Sequence, residues 1–211
     1  MKREPNSPDL ERFLAFTGDL RNSSHAELRD FFVSNDKIFT ARAPGRIDVM
    51  GGIADYSGSL VLQMPTSEAA MTAVQENNTG RIRVGSLRGD DHDSLSLFSC
   101  ECSDLILNGR PLQYQETRKF FGTSDRDFWA GYVAGVLPVL LTEGYIKEIK
   151  GLDILLWTNV PEAKGAASSA AIEVATMRAI CELYGLNIPE EKMALLCQKV
   201  ENLIVGSPCG I

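Results

Sequence analysis

Residues 161–170, PEAKGAASSA, are small, hydroxylic or cationic after Pro161 and Glu162, and they follow an apolar run, Leu152 to Thr158. A helical pattern comes next, with Ala170, Ile172, Ala175, Ala179, Ile180 and Leu183 spaced for one face and Gly185 as its stop. A loop between a strand and a helix start suits an anion, because the first helical N–H groups are unpaired and carry partial positive charge. Gly165, with Ala166, Ala167 and Ala170, lets the backbone come close to an anion in the loop that follows Pro161. Ser168 and Ser169 add hydroxyls for phosphate or Mg²⁺, and Lys164 adds a point charge. The pattern G-x-x-x-x-G-K-[ST] is absent, and small residues also start helices that pack closely on a sheet. Taken alone, the loop fits either reading.

A second stretch, residues 43–65, places Arg46, Asp48 and Asp55 among glycines and apolar residues. Charges in such surroundings need partners or a ligand. Arg46 could neutralise a phosphoryl group in transfer. Asp55 could accept hydrogen bonds from neighbouring hydroxyls of a sugar. The alternative is an internal Arg–Asp ion pair that staples a turn.

The elements that position these residues follow from pattern. Residues 1–36 are polar, with Pro5 and Pro8 early, and read as a leader or linker; Leu10, Phe13, Leu14 and Leu20 could seed one short helix and Ala26 to Val33 another. Ile38 to Ala43 reads as a strand entering a Pro44-Gly45 turn, and Leu60 to Met64 as a short run ended by Pro65. Ala69 to Gln75 and Arg81 to Leu87 read as strands about an Asn77-Asn78-Thr79-Gly80 turn, in an antiparallel sheet. Arg126 to Glu143 has helical spacing, with a kink expected at Pro138 and a stop at Gly144. A last helix is expected after an Asn187 cap, with Met193, Leu196, Val200 and Leu203 on one face.

A chain of 211 residues with 44% apolar and 23% charged residues favours one domain, or one and a fraction, with a globular core. The formal charge of −7 disfavours nucleic acid as a main partner, yet amides and a metal can hold a triphosphate locally. Five cysteines and two histidines form no metal-like spacing, so reduced thiols and a cytoplasmic setting are expected. No secretory leader or membrane-length apolar run is present; the longest candidate, Val133 to Leu141, contains Gly135 and Pro138.

Taken together, the two stretches resemble the GHMP kinases, the family of galactokinase, homoserine kinase and mevalonate kinase. GRIDVMGGIADY, residues 45–56, resembles the galactokinase signature G-R-x-N-x-x-G-E-H-x-D-Y, and PEAKGAASSA resembles the family's phosphate loop, P-x-x-x-G-L-S-S-S-A. Their order and separation of about 115 residues also fit, and Trp129 to Leu137 is similar to the helix that precedes the loop. The resemblance spans residues 38–211. It implies an α+β fold like domain 2 of ribosomal protein S5, with a mixed or antiparallel sheet packed with helices. Residues 37–211 would form an ATP- and sugar-binding domain incomplete at its C-terminus.

The resemblance implies ATP and Mg²⁺ as cofactors, with Pro161 and residues 164–170 on the phosphates and Ser169 also on the metal. Arg46 would be the active-site arginine. Asp55, Gly52, Ile53, Tyr56 and Gly210 would address the sugar. Gly52-Ile53 stands where galactokinases carry Glu-His, the pair that meets the sugar's hydroxymethyl group. L-arabinose, which lacks that group, is therefore the implied sugar. The loop carries Ala163 where glycine is usual and Ala167 where serine is usual. The family's catalytic aspartate, in C-G-x-M-D-Q, would follow Ile211, so a truncated chain with little turnover is expected. A ligand-binding sensor, an inactive remnant and a kinase for galactose or glucuronate are the alternatives. Oligomeric state is not legible.

Overall fold

The computed structural model describes residues 7–33, 36–88, 94–124 and 127–210; the side chains of Ile53, Asp55 and Tyr56 lie outside the described residues. The sheet has five strands: β1 (Phe39–Met50), β2 (Leu62–Glu76), β3 (Arg81–Arg88), β4 (Ser94–Glu101) and, after a short hairpin of β5 (Ile106–Leu107) and β6 (Arg110–Pro111), β7 (Leu152–Thr158). Their order is β1-β2-β7-β3-β4. β7 lies antiparallel to β2 and parallel to β3, so the sheet is mixed. The 77–80 turn therefore does not close a hairpin, because β7 inserts between the strands it joins.

β7 is buried along its whole length, as a continuous apolar strand covered on both faces must be. Side chains alternate. Ile154 and Leu156, with Ala70 and Val74 of β2, join the core beneath the helices. Leu155 and Trp157, with Met71 and Ala73, join a second core on the other face. The helical layer comprises α2 (Tyr114–Phe121), α3 (Ala130–Ala134), α4 (Val136–Thr142), α5 (Ser168–Tyr184) and α6 (Glu190–Lys199). Buried Thr72 and Thr176 hydrogen-bond at 3.3 Å, fixing α5 on the sheet.

The second core is closed by the segment expected to be a leader. Its first helix, α1 (Pro8–Gly18), and the turns after it bring Phe13, Leu20, Leu28 and Phe31 onto the sheet. Polar anchors reinforce this. Arg42 pairs with Asp9 at 2.9 Å, and Gln75 exchanges hydrogen bonds with the backbone of Val33. Arg83 donates to fully buried Asp153 at 2.6 Å and to the Phe31 carbonyl at 2.7 Å, so one side chain ties this segment to β7. The segment looks polar in sequence because its four anchors are widely spaced and follow no period.

Several boundaries differ from expectation. Pro44-Gly45 is not a turn, since β1 runs through it with an irregularity between Pro44 and Arg46. Pro65 does not end a strand, because β2 passes through it, paired with Arg46 at the edge where proline is tolerated. Beyond the helices this ribbon leaves Ile47, Val49, Met50, Leu62 and Met64 exposed. The break expected at Pro138 falls at Gly135, between α3 and α4. Pro138 has no N–H for the Ala134 carbonyl and its ring crowds that carbonyl, which interrupts the helix one turn earlier. α6 begins after Pro189, not after an Asn187 cap. It runs into a wider π turn, Val200–Val205, which shifts the apolar face. Leu203 is consequently 40% exposed while Ile204 is 1% exposed.

Phe13 is fully buried against Trp157, with ring centroids 5.9 Å apart. Phe13→Ala should lower stability by about 3–5 kcal/mol in urea unfolding. An unchanged midpoint would mean that residues 7–33 do not dock on the sheet in solution.

Candidate active site

The site begins where β1 passes beneath the 161–167 loop. A Cβ added at Gly45 would lie 2.8 Å from the Ala166 carbonyl oxygen and 2.8 Å from Val160 Cγ1, so the position must be bare for the loop to sit down on the strand. The next residue completes the contact: the Arg46 N–H donates to the Ala166 carbonyl at 3.0 Å. The irregularity at this point re-aims the strand, as bulges do. Arg88 holds the outer end of the loop through Glu162 at 3.2 Å.

The loop's backbone is unusual. Gly165 has φ +72°, and Ala163 and Ala167 have φ +54° and +53°, the left-handed region that disfavours a Cβ. Ala167 caps α5 without any side-chain hydrogen bond. The first helical bond is Ala171 N–H to Ala167, and the N–H groups of Ser168, Ser169 and Ala170 have no partner among the described residues. These free donors stand at the positive end of a 17-residue helix.

A cavity of about 490 Å³ opens in front of that helix start. Its lining includes Arg46, Asp48 and Gly52 from β1 and the turn after it, Gly165, Ala167, Ser169, Ala170 and Glu173 from the loop and α5, and Cys197, Gln198, Glu201 and Pro208 to Gly210. The 208–210 wall is strapped down by the Cys209 N–H donating to Asn202 at 2.8 Å and by Gln198 donating to the Cys209 carbonyl at 3.2 Å. Of the residues singled out in the sequence, Arg46, Gly52, Gly165, Ala167, Ser169, Ala170 and Gly210 share this cavity. Pro161, Lys164, Ala166 and Ser168 belong to the same loop but are not among the lining residues, and Lys164 is exposed. Ile53, Asp55 and Tyr56 lie in a tight turn, Gly52–Ser57, with side chains outside the described residues. The ion-pair alternative for Arg46 is not found among the described residues, and Asp48 accepts from Gln63 at 2.9 Å instead.

Two residues were not picked out in advance. Glu173, on α5 one turn after Ser169, is 1% exposed, and Glu201, in the π turn, is 6% exposed. Each is a charge at an apolar-periodic helix position, which is the signal that could have flagged them. Burial, reinforced by the Glu201 carboxylate, pushes Glu173 up to about 10. Burial and then Glu201 push the Cys209 thiol up to about 12, so it is no thiolate nucleophile. Ser169 with Glu201 offers a hard cation oxygen donors, and a buried Glu173 oxygen, Oε1, lacks any hydrogen-bond partner among the described residues. The site therefore suits Mg²⁺ chemically.

Residues 131–211 match the GHMP kinases N terminal domain, and residues 26–76 match the galactokinase galactose-binding signature. The L-arabinokinase of Arabidopsis thaliana is 43% identical over 83% of this chain and 19% of its own length. The galactokinase of Streptomyces coelicolor is 33% identical over 80% of this chain and 38% of its own length. The chain thus spans less than half of these relatives. Lactococcus lactis galactokinase complexed with galactose superposes with a TM-score of 0.70 at 21% identity, over 94% of this chain and 44% of that one. Methanococcus jannaschii mevalonate kinase gives 0.60 at 18%, over 82% and 48%; both likenesses concern the fold.

Residues 131–211 of this α+β fold carry the N-terminal domain of the GHMP kinase family, and the fold as a whole is that of these kinases. Within that family the chain falls on the galactokinase-like side, with sugar kinases as its relatives. No helix among the described residues is long and apolar enough to cross a membrane.

Glu173 also gives the fold a pH dependence. A carboxyl that keeps its proton when folded binds more protons than the unfolded chain above the ordinary glutamate range. Its contribution is favourable at low pH and is lost as pH rises toward about 10. Without ligand, Glu173→Gln should therefore melt several degrees above the parent at about pH 8, the gap closing near pH 4. A gap of the same size at both pH values would count against a buried, protonated Glu173.

Proposed function

We propose that the chain supplies the nucleotide- and sugar-binding part of an ATP-dependent sugar 1-kinase, with L-arabinose as the sugar. The observation that carries this reading is the strap between the Arg46 N–H and the Ala166 carbonyl. It sets a cationic residue beside an uncapped helix start, with both lining one cavity. The loop amides and the Ser168 and Ser169 hydroxyls would hold the phosphates, and Lys164 would lend charge from the loop's outer face. The sugar's anomeric oxygen would attack the γ-phosphorus as the bond to the bridging oxygen of ADP breaks, with the hydroxyl proton leaving to a base. That base would be the aspartate the resemblance places after Ile211. Arg46 would stabilise charge on the equatorial oxygens, and Asp55 would orient the sugar through its hydroxyls. Such catalysis is mostly positioning and charge stabilisation. Ser169 and Glu201 would hold Mg²⁺, which when bound neutralises charge on the terminal phosphates.

The choice of sugar rests on Gly52 and Ile53. Gly52 lines the cavity at φ +42° with open space about it. A site with glycine and isoleucine here offers no hydrogen bonds to a hydroxymethyl group, and a buried hydroxyl without partners is penalised. The identity to an L-arabinokinase over most of this chain supports the same choice.

Calorimetry on the chain should detect a non-hydrolysable ATP analogue. In the complete protein, Arg46→Ala should lower kcat by roughly 10²–10³. Ile53→His, alone and with Gly52→Glu, should move preference from L-arabinose toward galactose. The double variant also carries a backbone cost of about 1–2 kcal/mol at Gly52. Binding of nucleotide and sugar without turnover in the complete protein would favour a sensor, and an unchanged sugar preference would remove Ile53 from the specificity argument.

A further inference from the structure

The reading of the cavity as a nucleotide and cation site leaves Glu173 without a task. The residue is 1% exposed, lines the cavity, and has an Oε1 with no hydrogen-bond partner among the described residues. No ion pair reaches either Glu173 or Glu201 among the described residues, although the two lie close enough to repel. Ser169 and Glu173 are four positions apart on α5, so they face the same way, and both line the cavity that Glu201 also lines.

Two buried carboxylates aimed at one space are costly unless a proton or a cation sits between them. A core role would be filled at lower cost by an apolar residue, and the neighbours on this helix, Ala171, Ala175 and Met177, are apolar and buried. A divalent cation answers the observed chemistry best. It gives the stranded oxygen a partner, offsets both charges and accepts a set made only of oxygens.

We propose that Glu173 is a ligand of the cation that accompanies the nucleotide, directly or through a bound water, completing a donor set with Ser169 and Glu201. This rests on the nucleotide-site reading above. Removal of the cation should then leave the two carboxylates facing each other, and its binding should stabilise the fold more than two phosphate contacts would.

The test measures Mn²⁺ binding by electron paramagnetic resonance, in the presence of a non-hydrolysable ATP analogue, for the chain, Glu173→Gln and Glu201→Gln. Circular dichroism checks that each variant is folded. Glu173→Gln should weaken Mn²⁺ about 10-fold to 100-fold, while metal-free affinity for the analogue is kept or improved. Mn²⁺ affinity within twofold of the parent in Glu173→Gln, with a clear loss in Glu201→Gln, would overturn the assignment and leave the site reading standing. A parent chain that binds the analogue but no Mn²⁺ would overturn both. If Glu173→Gln does not fold, the carboxyl-carbon resonance of Glu173 in the parent decides the matter. Broadening by Mn²⁺ in the ternary complex supports ligation, and an unbroadened signal overturns it.

Discussion

One backbone hydrogen bond, from the Arg46 N–H to the Ala166 carbonyl, joins two segments more than a hundred residues apart in sequence and makes a single site of them. It can form only because Gly45 has no side chain, since the Ala166 carbonyl oxygen and Val160 Cγ1 stand 2.8 Å from where a Cβ would be. The bond fixes the height of the loop above the strand. The loop in turn fixes the free N–H groups at the start of α5, and the irregular strand delivers Arg46 to the same cavity. Without it, the loop would be tied to the strand that carries Arg46 only through the packing of α5 on the sheet.

The sheet beneath has to be rigid for a bond of this kind to matter. Its rigidity comes from burial on both faces, and the N-terminal segment supplies the second face. Asp153, fully buried in the central strand, accepts from Asn77 at 2.8 Å and from Arg83 at 2.6 Å, and Arg83 also stacks on Phe31 at 5.1 Å. A buried carboxylate with both a charged and a neutral donor is tolerable where one without them is not. Buried carboxylates are treated differently within one domain: among the described residues, Asp153 Oδ1 takes two donors from the scaffold while its Oδ2 takes none, and Glu173 Oε1 is left unpartnered at the cavity.

Much of the framework is readable in the chain because it depends on local patterns. The apolar run of β7, the start of α5 after small residues and its stop at Gly185 all follow from short-range rules and appear in the structure. The strand through Pro44 and Pro65 was not readable, because pairing between β1 and β2 overrides the local breaking tendency of proline at a sheet edge. The docking of Phe13 and Phe31 was not readable either, because isolated apolar residues reveal a core only once the opposing face is known. At the site, the loop and Arg46 announce themselves through residue type and spacing. Glu173 and Glu201 hide inside amphipathic helices, and the π turn that re-aims the second has no simple sequence mark.

Local strain and unbalanced charge are concentrated at this one place. Ala163 and Ala167 hold left-handed backbone at a cost of about 1 kcal/mol each, and the uncapped start of α5 forgoes a further ~1 kcal/mol that a serine or aspartate cap would contribute. A side-chain cap would cover the very N–H groups that an anion needs, so the missing cap and the open cavity are two aspects of one arrangement. The same holds for charge: with donors exposed at the start of α5 and carboxylates buried on α5 and in the π turn, the cavity favours neither a free anion nor a free cation alone. An anion and a cation arriving as a pair meet complementary groups on both walls, and each lowers the cost of binding the other. By linkage, that coupling must also appear as added stability of the fold when both are bound. The strained loop thus sits where, under the proposed function, ligand binding rather than the apolar core would compensate for it.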